Sequence, residues 1–219
     1  MPPCGNDGRT EMKTDELIQQ LAGNAPPVKR LRPFGQRFIA WLVISLVYIG
    51  IIMFFFGVRD DAGLMLRDPM FFTQAMLLIV LGVTAGYAAL QISVPDGMLS
   101  VPLVGLVIGS AMVSMVLLSY ETCTTSGCVA GQGWECSLHI AMLGIIPAIA
   151  LFLMLKRSAP SRRLWAGALM GLAMIGLSAA ALQFACGNSD PLHLLVWHWL
   201  PGFLFVSVGI GMASRLLRW

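Results

Sequence analysis

Residues 38–58 of this chain read FIAWLVISLVYIGIIMFFFGV and contain no charged side chain. At 1.5 Å per helical residue, a run of this length covers the roughly 30 Å hydrocarbon core of a bilayer. A charged group at the centre of such a helix would cost about 2.5–3.5 kcal/mol on insertion. The run is continuously apolar rather than alternating, which excludes a strand of a membrane barrel. It therefore predicts a transmembrane helix.

Five further windows share this character, and 57% of the whole chain is hydrophobic while only 11% is charged. Soluble domains carry about 25% charged residues. We therefore predict an all-α integral membrane protein, a bundle of six transmembrane helices within residues 38–214. The predicted spans cover about residues 38–58, 70–93, 99–120, 137–155, 164–185 and 192–213. Since none of them contains Asp, Glu, Lys or Arg, which an ion-coupled carrier normally places inside a span, a transporter is disfavoured, and no catalytic residue is predicted.

The basic residues predict the orientation of the bundle. Twelve of the 14 Lys and Arg residues lie before the first span, between spans four and five, or after the last span. Only Arg59 and Arg67 lie on the other side. Because Lys and Arg are retained on the cytoplasmic side, we predict a multi-pass protein of a bacterial inner membrane with both termini cytoplasmic, including a tail at 215–219.

The segment 1–37 is predicted to be cytoplasmic. Residues 1–11 look like a disordered leader, and Met12 is an alternative start. Residues 13–22 predict a short amphipathic helix, whose apolar stripe of Leu17, Ile18 and Leu21 suits docking into a groove of a partner. The alternative is a frayed anchor whose charges only set topology. The basic stretch VKRLRPFGQR that follows is expected to contact anionic lipid.

Four of the five cysteines fall together on the predicted outer side. Cys123, Cys128 and Cys136 lie between spans three and four, Cys186 ends span five, and Cys4 is in the leader. In an oxidising periplasm, four thiols allow three disulfide pairings. Structural disulfides that join the two loops are therefore one interpretation.

A metal site is the other interpretation of this face. Cys136 and His139 are three residues apart, and His193 follows Cys186 by seven residues. Thiolate and imidazole suit Zn²⁺ or another thiophilic ion, so the candidate ligands are Cys136, Cys186, His139 and His193. His198 lies about one turn further into span six and is not included in this set.

Several segments in this order resemble the NrsF family of six-span negative regulators of a sigma factor of the sigma-F type. They are MKTDELIQQLA from residue 12, VKRLRP before span one, GWEC ending at Cys136, the NSDP that follows Cys186 and Gly187, VWH ending at His198, and the closing RLLRW. The resemblance covers nearly the whole chain, from about residue 12 to residue 219.

The resemblance implies an anti-sigma factor that holds an extracytoplasmic-function sigma factor at the membrane, with no enzymatic activity and no direct contact to nucleic acid. Heavy metals or oxidants would act on two sensing thiols, which by matching motifs are Cys136 and Cys186. Cys123 and Cys128 lie outside the family pattern and are candidate accessory thiols. No cofactor is required; Zn²⁺, Cd²⁺ or another thiophilic metal would bind only transiently. The alternative function is a membrane thiol–disulfide oxidoreductase coupled to quinone.

Overall fold

The computed structural model describes residues 14–23, 31–94, 97–125, 127, 129–158, 160 and 162–217. Cys128 and the predicted leader at 1–11 lie outside these residues. The chain forms two compact units, residues 1–31 and residues 32–219. In the first unit, helix α1 covers Thr14–Gly23. The side chains of Leu17, Ile18 and Leu21 are all exposed on it.

Among its described residues, the second unit has six helices that are long and apolar enough to cross a membrane. No strand occurs among the described residues, so the fold class is confirmed. The sixth span, Pro191–Leu216, consists of three consecutive pieces. In chain order the helices are α2 Phe34–Phe56, the short α3 Ala62–Met65, α4 Pro69–Gln91, α5 Val101–Thr124, α6 Trp134–Lys156, α7 Arg163–Gln183, α8 Pro191–His193, a π-helical turn Leu194–Trp199, and α9 Leu200–Leu216.

Helix α7 is the centre of the bundle and packs most extensively against α4 and α9. Small residues permit this approach, because a Cβ on Gly176 would meet the backbone of Gly82, and a Cβ on Gly167 would meet the backbone of Gly209. Gly105 on α5 has nothing within 4 Å of such a Cβ and does not serve a helix crossing among the described residues. Helix α7 therefore makes close backbone crossings with both α4 and α9.

Arg37 joins three segments at the end of the bundle opposite the cysteines. Helix α2 begins at Phe34, earlier than the predicted span, and this extension places Arg37 inside the helix with only 7% of its surface exposed. Its guanidinium donates to the hydroxyls of Ser93 at 3.1 Å and Ser158 at 2.6 Å, and to the carbonyl of Met154 at 3.3 Å. The start of α2 is therefore tied to the chain just after α4 and to the end of α6.

Replacing Arg37 with methionine is expected to lower the free energy of unfolding by about 1.5–3 kcal/mol, the contribution of hydrogen bonds from a charged donor. The methionine keeps most of the apolar stem but cannot bond to Ser93 or Ser158. The unfolding midpoint of the purified protein in detergent would measure the loss. Arg32→Met is the matched control, since Arg32 is exposed. Equal midpoints for the two variants would contradict a stabilising role for Arg37.

Candidate thiol–imidazole site

Two cysteines that are distant in the chain meet at one end of the bundle. Cys136 is in the first turn of α6, and Cys186 lies three residues beyond the end of α7. Their Sγ atoms are 3.7 Å apart, well beyond the covalent distance of about 2.05 Å in a disulfide. Cys186 is buried and Cys136 is half-buried. The two predicted sensing thiols are therefore in direct contact as a thiol pair.

Two histidines complete a compact group with these thiols. The Nε2 atom of His193 is 3.7 Å from the Sγ of Cys186. One ligand atom from each of Cys136, Cys186, His193 and His198 lies within 4.8 Å of the other three. Both histidine side chains are 2% exposed. The four side chains thus form a nearly enclosed set of two sulfur and two nitrogen donors.

The π-helical turn brings the two histidines together. In an α-helix, residues five apart point about 140° away from each other, so His193 and His198 would face different neighbours. A π turn bonds residue i to residue i+5 and stacks such residues on one side. The two imidazole rings consequently lie 5.8 Å apart between centroids. The two histidines are therefore close because this turn is π-helical; in a regular α-helix, residues five apart would not be neighbours.

Pro201 gives a physical reason for the altered winding. A proline has no amide hydrogen, and its ring clashes with the carbonyl four residues earlier, which here belongs to Trp197. The freed carbonyl of Trp197 accepts a hydrogen bond from the hydroxyl of Ser137 at 2.9 Å. Since Ser137 follows Cys136 directly, the same bond fixes the start of α6 against the π turn.

The loop before α6 sets the protonation pattern of His193. The carbonyl of Ala130 accepts from Nδ1 of His193 at 3.0 Å and from the indole nitrogen of Trp197 at 3.1 Å. A carbonyl can only accept, so Nδ1 carries a hydrogen, and in the neutral imidazole Nε2, which faces Cys186, has the free lone pair. By contrast, neither ring nitrogen of His198 has a hydrogen-bond partner among the described residues.

Arg59 holds the connection that carries Cys186. Its guanidinium donates to the carbonyl of Cys186 at 3.0 Å and to the hydroxyl of Ser189 at 2.8 Å, and it pairs with Asp61. This ion pair raises the pKa of Arg59 and lowers that of the Asp61 carboxyl, chiefly through the hydrogen bond between them. The connection is therefore fixed through both its backbone and its side chains.

The Cys186 thiol is the more acidic member of the pair. A hydrogen bond from Cys136 holds the pKa of Cys186 well below the usual thiol value; burial opposes this shift, and nearby His198 adds to it. A thiolate is both the nucleophile toward oxidants and the form that ligates metals. The lowered pKa of Cys186 therefore favours both reactions at this sulfur.

An open cavity of about 540 Å³ leads to the thiols and is lined in part by Glu135, Cys136, His139 and Cys186. His139 stands on its wall, where its ring packs against Phe56 at 4.4 Å between centroids. It is not part of the compact donor group among the described residues, whereas His198, which sequence reasoning left out, is. The proline three residues after His198 was the sequence signal that the helix register could change there.

One further cysteine, Cys123, lies among the described residues. Cys123 is an exposed free thiol in the last turn of α5 and lies outside the donor group. Cys128 lies outside the described residues, so its pairing stays a prediction.

Known proteins give a consistent family assignment. Residues 21–219 match the family described as NrsF, negative regulator of sigma F. The chain is similar to the probable anti-sigma-F factor NrsF of Azospira oryzae, with 27% identity, and to the anti-sigma-F factor NrsF of Caulobacter vibrioides, with 32% identity; each match covers 95% of this chain and 100% of the relative. No solved structure matches the chain. With nearly its whole length matched, and with the thiol pair held between its helices, this chain belongs to the NrsF family of negative regulators of sigma F.

Proposed function

We propose that this protein binds an extracytoplasmic-function sigma factor on the cytoplasmic side of a bacterial inner membrane and releases it when a heavy metal or an oxidant reacts with Cys136 and Cys186. The observation that carries this proposal is the 3.7 Å contact between the two sulfurs in a member of the NrsF family. A sigma factor kept at the membrane cannot join RNA polymerase. No direct contact with nucleic acid is needed.

The proposed orientation follows from the basic residues, with both termini cytoplasmic and the thiol pair on the outer side. Arg37, Ser93 and Ser158 then lie at the cytoplasmic end. A signal at the thiols has to cross the bundle to affect a cytoplasmic partner.

Helix α6 supplies a direct connection between the two ends. Cys136 is in its first turn, and Met154 in its last turn accepts a hydrogen bond from Arg37, as does Ser158 just beyond it. A disulfide between Cys136 and Cys186 would shorten the 3.7 Å distance between their sulfurs to about 2.05 Å and pull the start of α6 toward the end of α7, whereas a bound metal ion would hold these two ends at their present distance. Because helices transmit axial displacement, the shift reaches Arg37 and the start of α2, which follows the N-terminal segment in the chain. A coupling of 1–3 kcal/mol would be typical, corresponding to about 5- to 150-fold in affinity.

Co-purification tests the function. The full-length protein is expected to retain the candidate sigma factor of its own organism in detergent extracts of membranes, and to lose it after treatment with Cd²⁺ or a thiol oxidant. Absence of the sigma factor from untreated extracts would exclude the proposed partner. Persistent binding under both treatments would show that the thiols have only a structural role.

Helix α1 is the proposed docking element. Its three apolar side chains are between 41% and 65% exposed, as an unoccupied groove-binding stripe would be. Combining Leu17→Asp with Ile18→Asp is expected to weaken sigma-factor binding at least about 100-fold, because burial of each apolar side chain contributes about 1.5–3 kcal/mol. Affinity for the soluble sigma factor would be measured with the protein in nanodiscs.

The matched control for this prediction is Gln20→Asp, which adds a charge to the same helix at an exposed polar position. It is expected to keep most of the affinity. If the double variant bound as well as the control, the docking surface would have to lie on another cytoplasmic segment.

The oxidoreductase alternative predicts a different result. It requires that purified protein form a disulfide between Cys136 and Cys186 and pass two electrons to added quinone, turning over with a dithiol substrate. Membership in a family of regulators favours binding over catalysis. The quinone assay separates the two functions without a sigma factor.

A further inference from the structure

We propose that Cys136, Cys186, His193 and His198 bind one divalent thiophilic ion, of the Zn²⁺ or Cd²⁺ type, in a tetrahedral site. The proposal rests on the proposed function only for its consequence, the release of the sigma factor; the binding of the ion stands on the geometry alone. The His198 ligand and the exclusion of His139 distinguish this site from one that sequence spacing would suggest.

The distances between the donor atoms fit a tetrahedral ion. With Zn–S near 2.3 Å and Zn–N near 2.0–2.1 Å, a regular tetrahedron places two sulfurs about 3.8 Å apart and a sulfur and a nitrogen about 3.6 Å apart. The two sulfurs are 3.7 Å apart, and the sulfur of Cys186 is 3.7 Å from Nε2 of His193. The fourth donor, on His198, lies within the same 4.8 Å group. Small side-chain movements would complete the coordination.

The imidazole of His198 is the independent observation that points to a ligand. It is 2% exposed, and neither of its nitrogens has a hydrogen-bond partner among the described residues. Burying a polar group without a partner is unfavourable. A bond from one nitrogen to an ion beside the two sulfurs would give that nitrogen a partner.

The surroundings meet two further requirements of a metal site. The bond from Nδ1 of His193 to the carbonyl of Ala130 is the outer-sphere contact that orients a ligating histidine and fixes its free nitrogen. Binding a divalent ion to two thiolates and two neutral imidazoles gives a complex without net charge, which suits a buried position. Any hydrogen still on the thiols leaves to solvent, so binding releases at most two protons and transfers no electrons.

An open cavity gives access to the site, and its lining includes residues that are not part of the donor group. The cavity of about 540 Å³ reaches Cys136, Cys186 and His193 from outside. His139 and Glu135 line this route without joining the compact group. They therefore line the entrance to the proposed site and are not among its ligands.

Titration with Co²⁺ tests the site in the reduced, full-length protein in nanodiscs, with no sigma factor present. Tetrahedral coordination by two thiolates and two imidazoles gives intense visible absorption and a thiolate charge-transfer band, saturating at one ion per chain. Added Zn²⁺ or Cd²⁺ is expected to displace the cobalt. A weak octahedral spectrum, or binding that does not saturate at one equivalent, would overturn the proposal.

Matched histidine variants identify the ligands. His198→Phe, which fills the buried space, is expected to lower the affinity more than about 100-fold, beyond the range seen when only an outer-sphere partner is lost. His139→Ala is the control and is expected to keep the tetrahedral spectrum. Equal Co²⁺ affinity in these two variants would show that His198 is not a ligand.

A third variant protects the test against a folding defect. His198→Cys retains a donor and is expected to bind Co²⁺ tetrahedrally with a stronger charge-transfer band, because three thiolates then contact the ion; an unchanged band would contradict ligation at this position. The titration contains no sigma factor, so its failure leaves the anti-sigma function intact. Failure of co-purification would likewise leave the metal site intact.

Discussion

Replacing both Cys136 and Cys186 with serine is expected to abolish release of the sigma factor while leaving resting binding unchanged. In the unsubstituted protein, Cd²⁺ or an oxidant should weaken binding by about 5- to 150-fold, the usual range of coupling between two sites. A serine hydroxyl neither forms a disulfide nor ligates soft metals. The double variant should therefore respond by less than about twofold, since no differential binding free energy is left to shift the equilibrium.

Sigma-factor affinity in nanodiscs, with and without Cd²⁺, would measure this loss. Cys123→Ser is the control, because Cys123 is exposed and lies outside the compact donor group. It is expected to keep the full response. Normal release from the double serine variant would show that the signal enters elsewhere, and loss of release in the Cys123 variant would show that the last turn of α5 takes part.

Replacing Gly176 with leucine is expected to prevent α4 and α7 from packing and to give little folded protein. A Cβ at this position would meet the backbone nitrogen and Cα of Gly82 and the carbonyl of Leu78. Backbone atoms in a helix cannot rotate away as a side chain can, so the helices must separate. The destabilisation should reach or exceed the upper end of the roughly 1–3 kcal/mol that overpacking typically costs.

Gly105→Leu provides the contrast, because nothing lies within 4 Å of a Cβ on that residue. It makes the same chemical change within a transmembrane helix. The yield of monodisperse protein and the unfolding midpoint in detergent would be compared. Equal yields and midpoints for the two variants would contradict the close α4–α7 crossing.

The sequence alone determined that this protein is a bundle of six transmembrane helices, because hydrophobic length and the absence of charge are properties of each segment by itself. It also identified the NrsF resemblance, which the match over residues 21–219 confirms. The helix containing Leu17 and Leu21 was equally accessible, since its apolar spacing and first-turn acids are local signals. None of these features requires knowledge of which helices are neighbours.

The start of α2 was less accessible to sequence reasoning. Arg37 looks like one of several basic residues that flank a span, and its interaction with Ser93 and Ser158 depends on three segments that are distant in the chain. A buried guanidinium bonded to neutral hydroxyls leaves no local pattern of opposite charges. Only the packing of α2 against its neighbours shows that Arg37 makes this interaction.

The donor group at the other end shows the same division. Sequence reasoning placed Cys136 and Cys186 on one side of the membrane from the predicted topology, and the family resemblance implied that they are the sensing thiols. It selected His139 over His198 because regular α-helical spacing favours residues three apart. The π turn before Pro201 changes that spacing. The carbonyl of Trp197, which Pro201 leaves without a helical hydrogen bond, accepts one from the hydroxyl of Ser137 on a different helix. The tertiary structure alone decided that His198 lies beside the two thiols. Its position depends both on the register of the π turn and on the contact of that turn with the start of α6.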